Sequence, residues 1–188
     1  MKDFLWDVLV HCLSRPFIAD WLIRRAKRRP YTHIIKSDQY YMRRFWLFNP
    51  YPSRVYPWPL FWRQHWSWLP SIRLHHIMQP DDDPHLHDHP WDFRTVILKG
   101  WYMEDRLVGR YRGATDLFEY CTRHKREPGD TAALAFGQFH QITAVNRSGC
   151  WTLFITWKYQ GRWGFLVRGH KIPHREYNAL RGTTDRES

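Results

Sequence analysis

The sequence predicts an all-β fold, a sandwich or a barrel, with a helical extension at its N-terminus. From residue 71 onward, short apolar and β-branched segments alternate with turn signals that contain Gly or Pro, a spacing typical of such folds. Prolines recur between residues 30 and 90 and forbid a long helix there. Helical periodicity is confined to residues 3–28, so helices are expected only before the strands begin.

Two helices are expected in the N-terminal extension. Apolar residues recur at intervals of three and four until Ser14-Arg15-Pro16 interrupts the pattern. Ser14 can cap the second helix, and Pro16 suits its first turn because an N–H there would have no partner. A basic run suits the dipole of the last turn before Pro30 stops the helix. The first helix has its apolar positions at Phe4, Leu5, Val8, Leu9 and Cys12, and the expected buried stripe of the second is Phe17, Trp21 and Leu22.

The strands are expected in the second part of the chain, after an aromatic and proline-rich stretch of short extended segments and loops at residues 31–70. Turns are expected at Lys99-Gly100, Gly109 and Gly113, and Tyr159-Gln160-Gly161 is predicted to form a hairpin turn. The predicted strands are Ser71–Met78, Arg94–Leu98, Tyr102–Val108, Tyr111–Tyr120, Trp151–Trp157 and Trp163–Val167, with a further short apolar strand after Gly129.

Composition bounds the class of protein and its partners. Hydrophobic residues make up 43% of the 188 residues, so the chain folds around a core. Lys and Arg number 29 against 18 acidic residues, a net charge of +11, which favours polyanions such as nucleic acid, nucleotides or an acidic membrane surface. Only residues 24–29 form a dense basic run. Cys12, Cys121 and Cys150 are widely separated, which argues against a disulfide framework and favours a reducing cytoplasm.

Several sequence patterns are absent, which narrows the classes of protein that we expect. The start of the chain does not have the pattern of a signal peptide, and no run of 18 or more apolar residues predicts a transmembrane span. Neither a phosphate-binding G-x-x-x-x-G-K-[ST] loop nor a dinucleotide-binding G-x-G-x-x-G is found at a strand-to-helix junction. A nucleophile elbow, G-x-S-x-G, is also missing, so acyl transfer by a serine is not expected.

The stretch "DDDPHLHDHPWDF" carries the chemistry. On an extended strand residues two apart share a face, so His87 and His89 can aim their rings at one point. Two such imidazoles form half of a divalent metal site. An isolated H-x-H pair is weak evidence, because two surface histidines could have the same spacing.

A second motif strengthens this interpretation, because the chain resembles the cupin family. In "GDTAALAFGQFH" Gly129, Gly137 and His140 stand at the spacings of the second cupin motif, with Ala135 in place of its proline. In the first motif His87 and His89 are followed by Gly100 at the family's spacing. The resemblance covers about residues 71–167. It implies a double-stranded β-helix, or jelly-roll barrel, in which His87, His89 and His140 converge on a metal.

The first motif departs from the family pattern. Asp81 stands in place of the leading glycine, and the usual glutamate falls on Phe93 or Arg94. In the alternative register His85 and His87 would be the pair and Asp92 would take the glutamate position, but Gly100 would then lie one residue too far.

The preferred register is similar to the three-histidine branch of cysteine-dioxygenase-like proteins. It implies Fe(II), with Mn, Ni or Zn as alternatives, and open positions for an anionic substrate and O2. Further possible ligands are His85, Asp92 and Glu104, and residues expected to line a substrate pocket are Arg94, Tyr102 and Gln138.

These features predict a metal-dependent oxygenase that acts on a small anionic substrate. The alternative is a non-catalytic module that binds a nucleotide, a sugar, nucleic acid or a protein partner. The stretch "HDHPWDF" and the tail "KIPHREY" also resemble small cupin proteins of bacteriophages and prophages, which implies a host cytoplasm and leaves a structural phage protein as a third possibility.

Domain boundaries are expected near residues 70 and 178. Residues 1–70 would pack on the barrel as helices and an aromatic extension, 71–178 would form the barrel, and 179–188 would be a flexible tail. Cupins often pair through barrel edges, and the apolar N-terminal helices could form such a homodimer contact.

Overall fold

The computed structural model describes residues 2–36, 38–50, 69–112, 117–182 and 186–187. The helices in these ranges are α1 (Lys2–Leu13), α2 (Pro16–Ala26) and α3 (His174–Arg181). The strands are β1 (Pro30–Lys36), β2 (Gln39–Phe48), β3 (Ser71–Ile77), β4 (Trp91–Lys99), β5 (Tyr102–Arg112), β6 (Leu117–Arg126), β7 (Thr131–Leu134), β8 (His140–Val145), β9 (Cys150–Tyr159), β10 (Gly164–Val167), β11 (His170–Pro173) and β12 (Arg186–Glu187).

The strand order is that of a jelly roll. A 7-stranded sheet has the order β12-β1-β2-β3-β9-β4-β7, and a second sheet has the order β6-β5-β8. His87 bridges β8 to Phe165 of β10, so the segment around it continues the second sheet toward β10 and β11. From β3 to β9 the antiparallel chain passes repeatedly between the two sheets, which is the double Greek key of a jelly roll. The predicted all-β class with an N-terminal helical extension is confirmed.

Both N-terminal helices pack on the outer face of the large sheet. Val10 of α1 and Ile23 of α2 are buried in one cluster with Leu74, Val96 and Leu153 of that sheet. Alternate residues of each strand point to this outer face. Those that pack against the helices are apolar. Among the described residues, no helix has both the length and the apolar character needed to cross a membrane.

Two predictions about α2 are wrong in detail. Its N-cap is Arg15, without a side-chain cap bond, while the hydroxyl of Ser14 donates to the carbonyl of His11. The buried stripe is Ala19, Ile23 and Ala26, whereas Phe17 and Trp21 are exposed. The two small alanines explain the reversal, because they let the helix axis approach the sheet more closely than bulky aromatic side chains would.

Two predicted turns are also wrong. Gly109 does not end a strand: β5 continues to Arg112, with a register shift between Leu107 and Gly109. A Cβ at Gly109 would overlap the ring of Tyr120, so a glycine is needed where the strand bulges. The expected hairpin at residues 159–161 is a crossing between sheets, because β9 pairs with β3 and β4 while β10 pairs with β11. The turn expected at Gly113 lies outside the described residues.

Candidate metal centre

The two motifs meet because their strands are neighbours. The backbone N–H of His87 donates to the carbonyl of His140 at 2.9 Å, and the N–H of His140 donates back to His87 at 2.9 Å. Such a reciprocal pair places the two side chains directly opposite each other on one face. His89 follows two residues after His87, just before β4 begins at Trp91.

Three imidazoles converge at this point. One potential ligand nitrogen from each of His87, His89 and His140 lies within 4.8 Å of the others. The Nε2 atoms of His89 and His140 are 3.0 Å apart. The ring of His89 is packed edge-on against Phe93, with centroids 4.7 Å apart. The backbone and this aromatic contact therefore hold the trio together on the inner side of the barrel.

Glu104 holds the ring of His140 from behind. Its side chain is buried, at 1% exposure, and Oε1 lies 2.9 Å from Nδ1 of His140. Burial would raise the pKa of this carboxyl, but the hydrogen bonds from His140 and Arg106 outweigh it, so the pKa is lowered and the group is ionised. An ionised carboxylate only accepts, so Nδ1–H of His140 donates to it, and Nε2 is the nitrogen turned toward His89.

Asp81 has a similar relation to His87. Its Oδ2 lies 3.8 Å from Nδ1 of His87 and accepts a hydrogen bond from the backbone N–H of Ile142 at 2.7 Å. The hydroxyl of Tyr41 donates to the other oxygen. The carboxylate is thus fixed by β2 and β8, with its charge facing the His87 ring.

The electrostatic setting suits metal ligands. Burial is the largest cause that lowers the pKa of His87, to about 4, despite the opposing charge of Asp81. Burial, followed by the charge of His140, also lowers the pKa of His89 well below its usual value. Neutral imidazoles with available lone pairs are the form that binds divalent ions.

The spacing of the nitrogens also fits an ion. Two nitrogens that each lie about 2.1 Å from one ion at a right angle are about 3.0 Å apart. The Nε2 atoms of His89 and His140 have this 3.0 Å separation, and a ring nitrogen of His87 lies within 4.8 Å of the ligand nitrogens of the other two. The residues present therefore fit a divalent ion.

The trio faces a cavity of about 1030 Å³ between the two sheets. Its walls come from β1 to β5 and β8 to β10, and α3 lies at one side. The charged residues that line it include the cations Lys36, Arg44, Arg73 and Arg175, and the carboxylates Asp81 and Asp83. The volume is at the upper end of the range of small-molecule sites, and cations outnumber anions among the described lining residues.

The inner face of the large sheet is unusually polar for a barrel interior. Ser71 and Thr156 share a 2.6 Å hydrogen bond between their hydroxyls, but the buried hydroxyl of Thr152 and the buried Nε2 of His75 have no hydrogen-bond partner among the described residues. Isolated polar groups of this kind are costly, so their retention favours a polar ligand. The buried polar residues on this face are Ser71, Arg73, His75, Thr95, Thr152 and Thr156.

Arg73 is the cation set most deeply in this wall. Its guanidinium carbon lies 4.8 Å from the ring of Trp46 and 4.9 Å from the ring of Trp91. Its Nη2 donates to the hydroxyls of Ser71 and Thr156. Aromatic faces and hydroxyls hold the guanidinium in one orientation and leave its positive charge in place.

The other predicted site residues are divided between the cavity wall, the surroundings of His140 and positions away from the trio. Glu104 lies behind His140, and Tyr102 lines the cavity. The ring of His85 is 2.9 Å from the hydroxyl of Tyr177. Three further residues lie away from the metal trio. Asp92 accepts from the N–H of Phe136, Arg94 lies over the ring of Trp6 on the outer side of the sheet, and the side chain of Gln138 accepts from the N–H of Ala135.

Several residues at the site were missed from the sequence. In the sequence Asp81 is recognised only as the residue in place of the leading glycine of the first motif, yet its carboxylate lies 3.8 Å from the His87 ring. Arg73 and His75 were read only as part of a strand, yet Ser71, Arg73 and His75 occupy alternate positions whose neighbours Ile72 and Leu74 are apolar. This period of two, with its polar side turned inward, is the signal that could have identified them.

Comparison with known proteins gives distant likenesses. No family model and no curated protein matches the chain. Among solved structures, a cupin-like protein from Thermotoga maritima is similar over 73% of this chain and 83% of its own, with 12% identity and a TM-score of 0.39. The oxalate decarboxylase of Lactobacillus farciminis is similar over 80% of this chain, with 13% identity and a TM-score of 0.46, and the chain spans 35% of its length. The Fe(II) form of HppE shows 8% identity and a TM-score of 0.45, over 69% of this chain and 57% of its own. The jelly-roll assignment rests on the strand order itself.

Proposed function

We propose that this chain is a metal-dependent, dioxygenase-like enzyme that acts on a small anionic substrate within the barrel. The observation that carries the proposal is the convergence of three imidazoles, two of them with a lowered pKa, with the His140 ring set by an ionised carboxylate. We assign His87, His89 and His140 as the ligands and Fe(II) as the preferred ion, with Mn, Ni or Zn as alternatives.

The donor set indicates the class of chemistry. Three neutral nitrogens leave a divalent ion with its full positive charge and with open positions, so that it can act as a Lewis acid and bind O2 when it is Fe(II). The protein residues have a separate task. Glu104 keeps a proton on Nδ1 of His140, and Phe93 packs against the ring of His89.

The inner face of the large sheet supports an anionic substrate. Arg73 is held with its charge in the cavity wall, and Arg44 and Arg175 also line the cavity. A carboxylate or phosphate that reached Arg73 could accept hydrogen bonds from its guanidinium. The buried hydroxyl of Thr152 would then gain a polar neighbour. Arg73 and Thr152 are therefore proposed substrate-orienting residues.

Metal content tests the site directly. The wild type, His87→Ala and His140→Ala are purified without added metal, reloaded anaerobically with Fe(II), desalted and assayed for bound metal. His170→Ala is the matched control, because His170 is exposed on β11. The wild type and the control should bind about one ion per chain, and the two site variants should lose it. Equal metal content in all four proteins would refute the site.

Turnover separates an enzyme from a binding module. Oxygen consumption is measured on the Fe(II)-loaded protein with a panel of thiols, diketones and 2-oxoacids. Consumption that depends on one substrate and is lost in His140→Ala supports the proposal. Saturable binding of a panel member without oxygen consumption would favour the alternative, a non-catalytic module that uses the same metal and cavity.

A further inference from the structure

The two N-terminal helices expose apolar side chains on the side away from the barrel. We call this surface the outer helical face, and its large apolar members are 43% to 75% exposed. Single exposed apolar residues are ordinary, but a set concentrated on two adjoining helices indicates an interaction site. The members are Phe4, Leu5, Val8 and Leu9 of α1 and Phe17 and Trp21 of α2.

The exposure of the outer helical face does not result from loose packing of the two helices on the barrel. Val10 is fully buried against the sheet, and so are Ala19 and Ala26 on α2. α1 contacts β4 and β7, whereas α2 contacts β2, β3 and β4. The helices thus lie beside each other on one sheet, with one face of each already covered. The exposed apolar residues form their opposite face.

Basic side chains adjoin these apolar ones. On α2, Phe17, Trp21 and Arg24 are spaced by four and three residues and lie on the same side of the helix. Arg25 is also exposed in the last turn. Arg28 and Arg29 follow and are exposed as well, whereas the ammonium of Lys27 lies over the ring of Trp151 of the barrel. The outer helical face therefore combines two aromatic anchors with a cluster of cations at one end.

We propose that the outer helical face binds the surface of an anionic lipid membrane, with the helices lying in the plane of the headgroups. Aromatic and aliphatic side chains beside a basic cluster are the pattern of interfacial helices, which insert their apolar face while the cations meet anionic headgroups. The net charge of +11 adds long-range attraction to such a surface.

The charges disfavour a second copy of the chain as the occupant. A symmetric dimer through this face presents the same patch on both copies, and because cations outnumber carboxylates on the two helices and the basic run after them, both copies would bring the same net charge to the interface. Like charges across an interface are destabilising. Asp20, the acidic residue of α2, is already 3.2 Å from Lys99 of its own barrel. An anionic surface meets the apolar and the basic part at once.

Co-sedimentation with vesicles tests the proposal. Full-length protein is mixed with vesicles of phosphatidylcholine alone or with added phosphatidylserine, at low and raised salt. The wild type should pellet with the phosphatidylserine vesicles and bind less at raised salt. Arg24→Glu/Arg25→Glu should lower the partition coefficient of the protein between vesicles and solution at least about tenfold. Phe17→Glu/Trp21→Glu should abolish binding even at low salt.

Matched variants control for charge and for exposed apolar area. Lys158→Glu/Arg162→Glu reverses two exposed cations elsewhere on the barrel, and Leu180→Glu removes an apolar side chain that is 76% exposed on α3. Both should bind like the wild type. Circular dichroism of every variant reports whether the barrel is intact, and metal content is measured separately, so this proposal and the metal site fail independently.

Three outcomes would overturn the membrane proposal. In the first, wild-type protein stays in the supernatant with phosphatidylserine vesicles at low salt. In the second, Phe17→Glu/Trp21→Glu binds as well as the wild type, which would mean attraction by net charge alone. In the third, light scattering shows a dimer that Phe17→Glu/Trp21→Glu dissociates, while vesicles bind nothing.

Discussion

Glu104 and Asp105 are adjacent carboxylates with opposite surroundings. Glu104 points into the barrel and accepts hydrogen bonds from His140, Arg106 and Arg126. Asp105 points outward and pairs with Arg123 at 2.7 Å on the exposed surface. The alternation of a β-strand thus places one acid behind a metal-binding ring and the other in solvent.

Glu104→Gln is predicted to weaken metal binding about 10-fold to 100-fold, because a neutral amide no longer keeps the proton on Nδ1 of His140. Asp105→Asn is the matched control and should leave metal affinity unchanged. Competition with a metal-binding dye measures both. If Glu104→Gln retains the wild-type affinity while circular dichroism shows an intact fold, Glu104 has no role in holding the ring.

Thr152 and Thr156 form a second matched pair. Both lie on the inner face of β9 at 1% exposure, but within the part of the chain that the structure describes only the Thr156 hydroxyl has hydrogen-bond partners, which are Ser71 and Arg73. Thr152→Val should raise the free energy of unfolding by about 1 kcal/mol, whereas Thr156→Val should lower it by about 1 to 3 kcal/mol. Denaturant unfolding measures both. Equal destabilisation by the two substitutions would show that the Thr152 hydroxyl has a partner in solution.

His75 is predicted to make the stability of the metal-free protein depend on pH. Burial, and then the charge of Arg73, lowers its pKa in the folded state well below 6.5. The unfolded chain therefore binds one more proton as the pH falls below 6.5, and the stability present above that pH decreases by up to about 1.4 kcal/mol per pH unit from this group.

Replacing His75 by Phe isolates this contribution. The ring of His75 stacks on Phe154 with centroids 4.5 Å apart, which a phenyl ring can maintain. Denaturant unfolding of metal-free wild type and His75→Phe between pH 7.5 and 5 should show a shallower decline in the variant. Parallel curves would mean that His75 is already protonated in the folded state or is not buried.

At the scale of elements, the turn between β4 and β5 was predicted correctly from Lys99-Gly100. Gly100 has φ +78, and a Cβ there would overlap the carbonyl oxygen of Gly149. Gly137 has φ +79 but nothing within 4 Å of such a Cβ. An alanine would be strained by the positive φ at either position, but only at Gly100 would its Cβ also overlap a neighbouring atom.

Gly100→Ala is therefore predicted to destabilise the protein by about 3 kcal/mol or more, from strain and overlap together, and Gly137→Ala by about 1 to 2 kcal/mol from strain alone. The shift of the unfolding midpoint in denaturant measures both. A smaller loss of stability for Gly100→Ala than for Gly137→Ala would contradict the close approach of Gly100 to the carbonyl oxygen of Gly149.

The local sequence pattern predicts which segments form strands and helices better than it predicts which strands pair. Alternating apolar residues and glycine turns are properties of neighbouring positions, so the main strands after residue 70 and the two N-terminal helices could be predicted. Which strands pair is decided by packing between distant segments, and this explains why the crossing at residues 159–161 was taken for a hairpin. The buried face of α2 was misjudged for a similar reason, since size rather than hydrophobicity alone selected Ala19 over Phe17.

For the whole molecule, the candidate site joins segments far apart in the chain. His89 and His140 are 51 residues apart, and the sequence linked them only through the spacing of two motifs. The groups around them, Glu104, Asp81 and the polar inner face of β3 and β9, have no common motif. They come together only because the jelly roll brings its sheets to face each other.

The molecule also has two distinct faces. One side of the large sheet lines a polar cavity that contains the imidazole trio, and the other supports helices whose outer face is apolar and basic. If both proposals hold, the barrel acts on an anionic substrate while it is held at an anionic membrane. Such an arrangement would favour substrates that are released near, or belong to, that surface.

A crystal structure of the protein loaded anaerobically with Fe(II), with anomalous scattering recorded at the iron edge, would show whether His87, His89 and His140 bind one ion. We predict a single strong anomalous peak within about 2.0 to 2.2 Å of one nitrogen from each of His87, His89 and His140. Density for an ion elsewhere, or a His140 ring turned away from Glu104 and from the other two imidazoles, would contradict it.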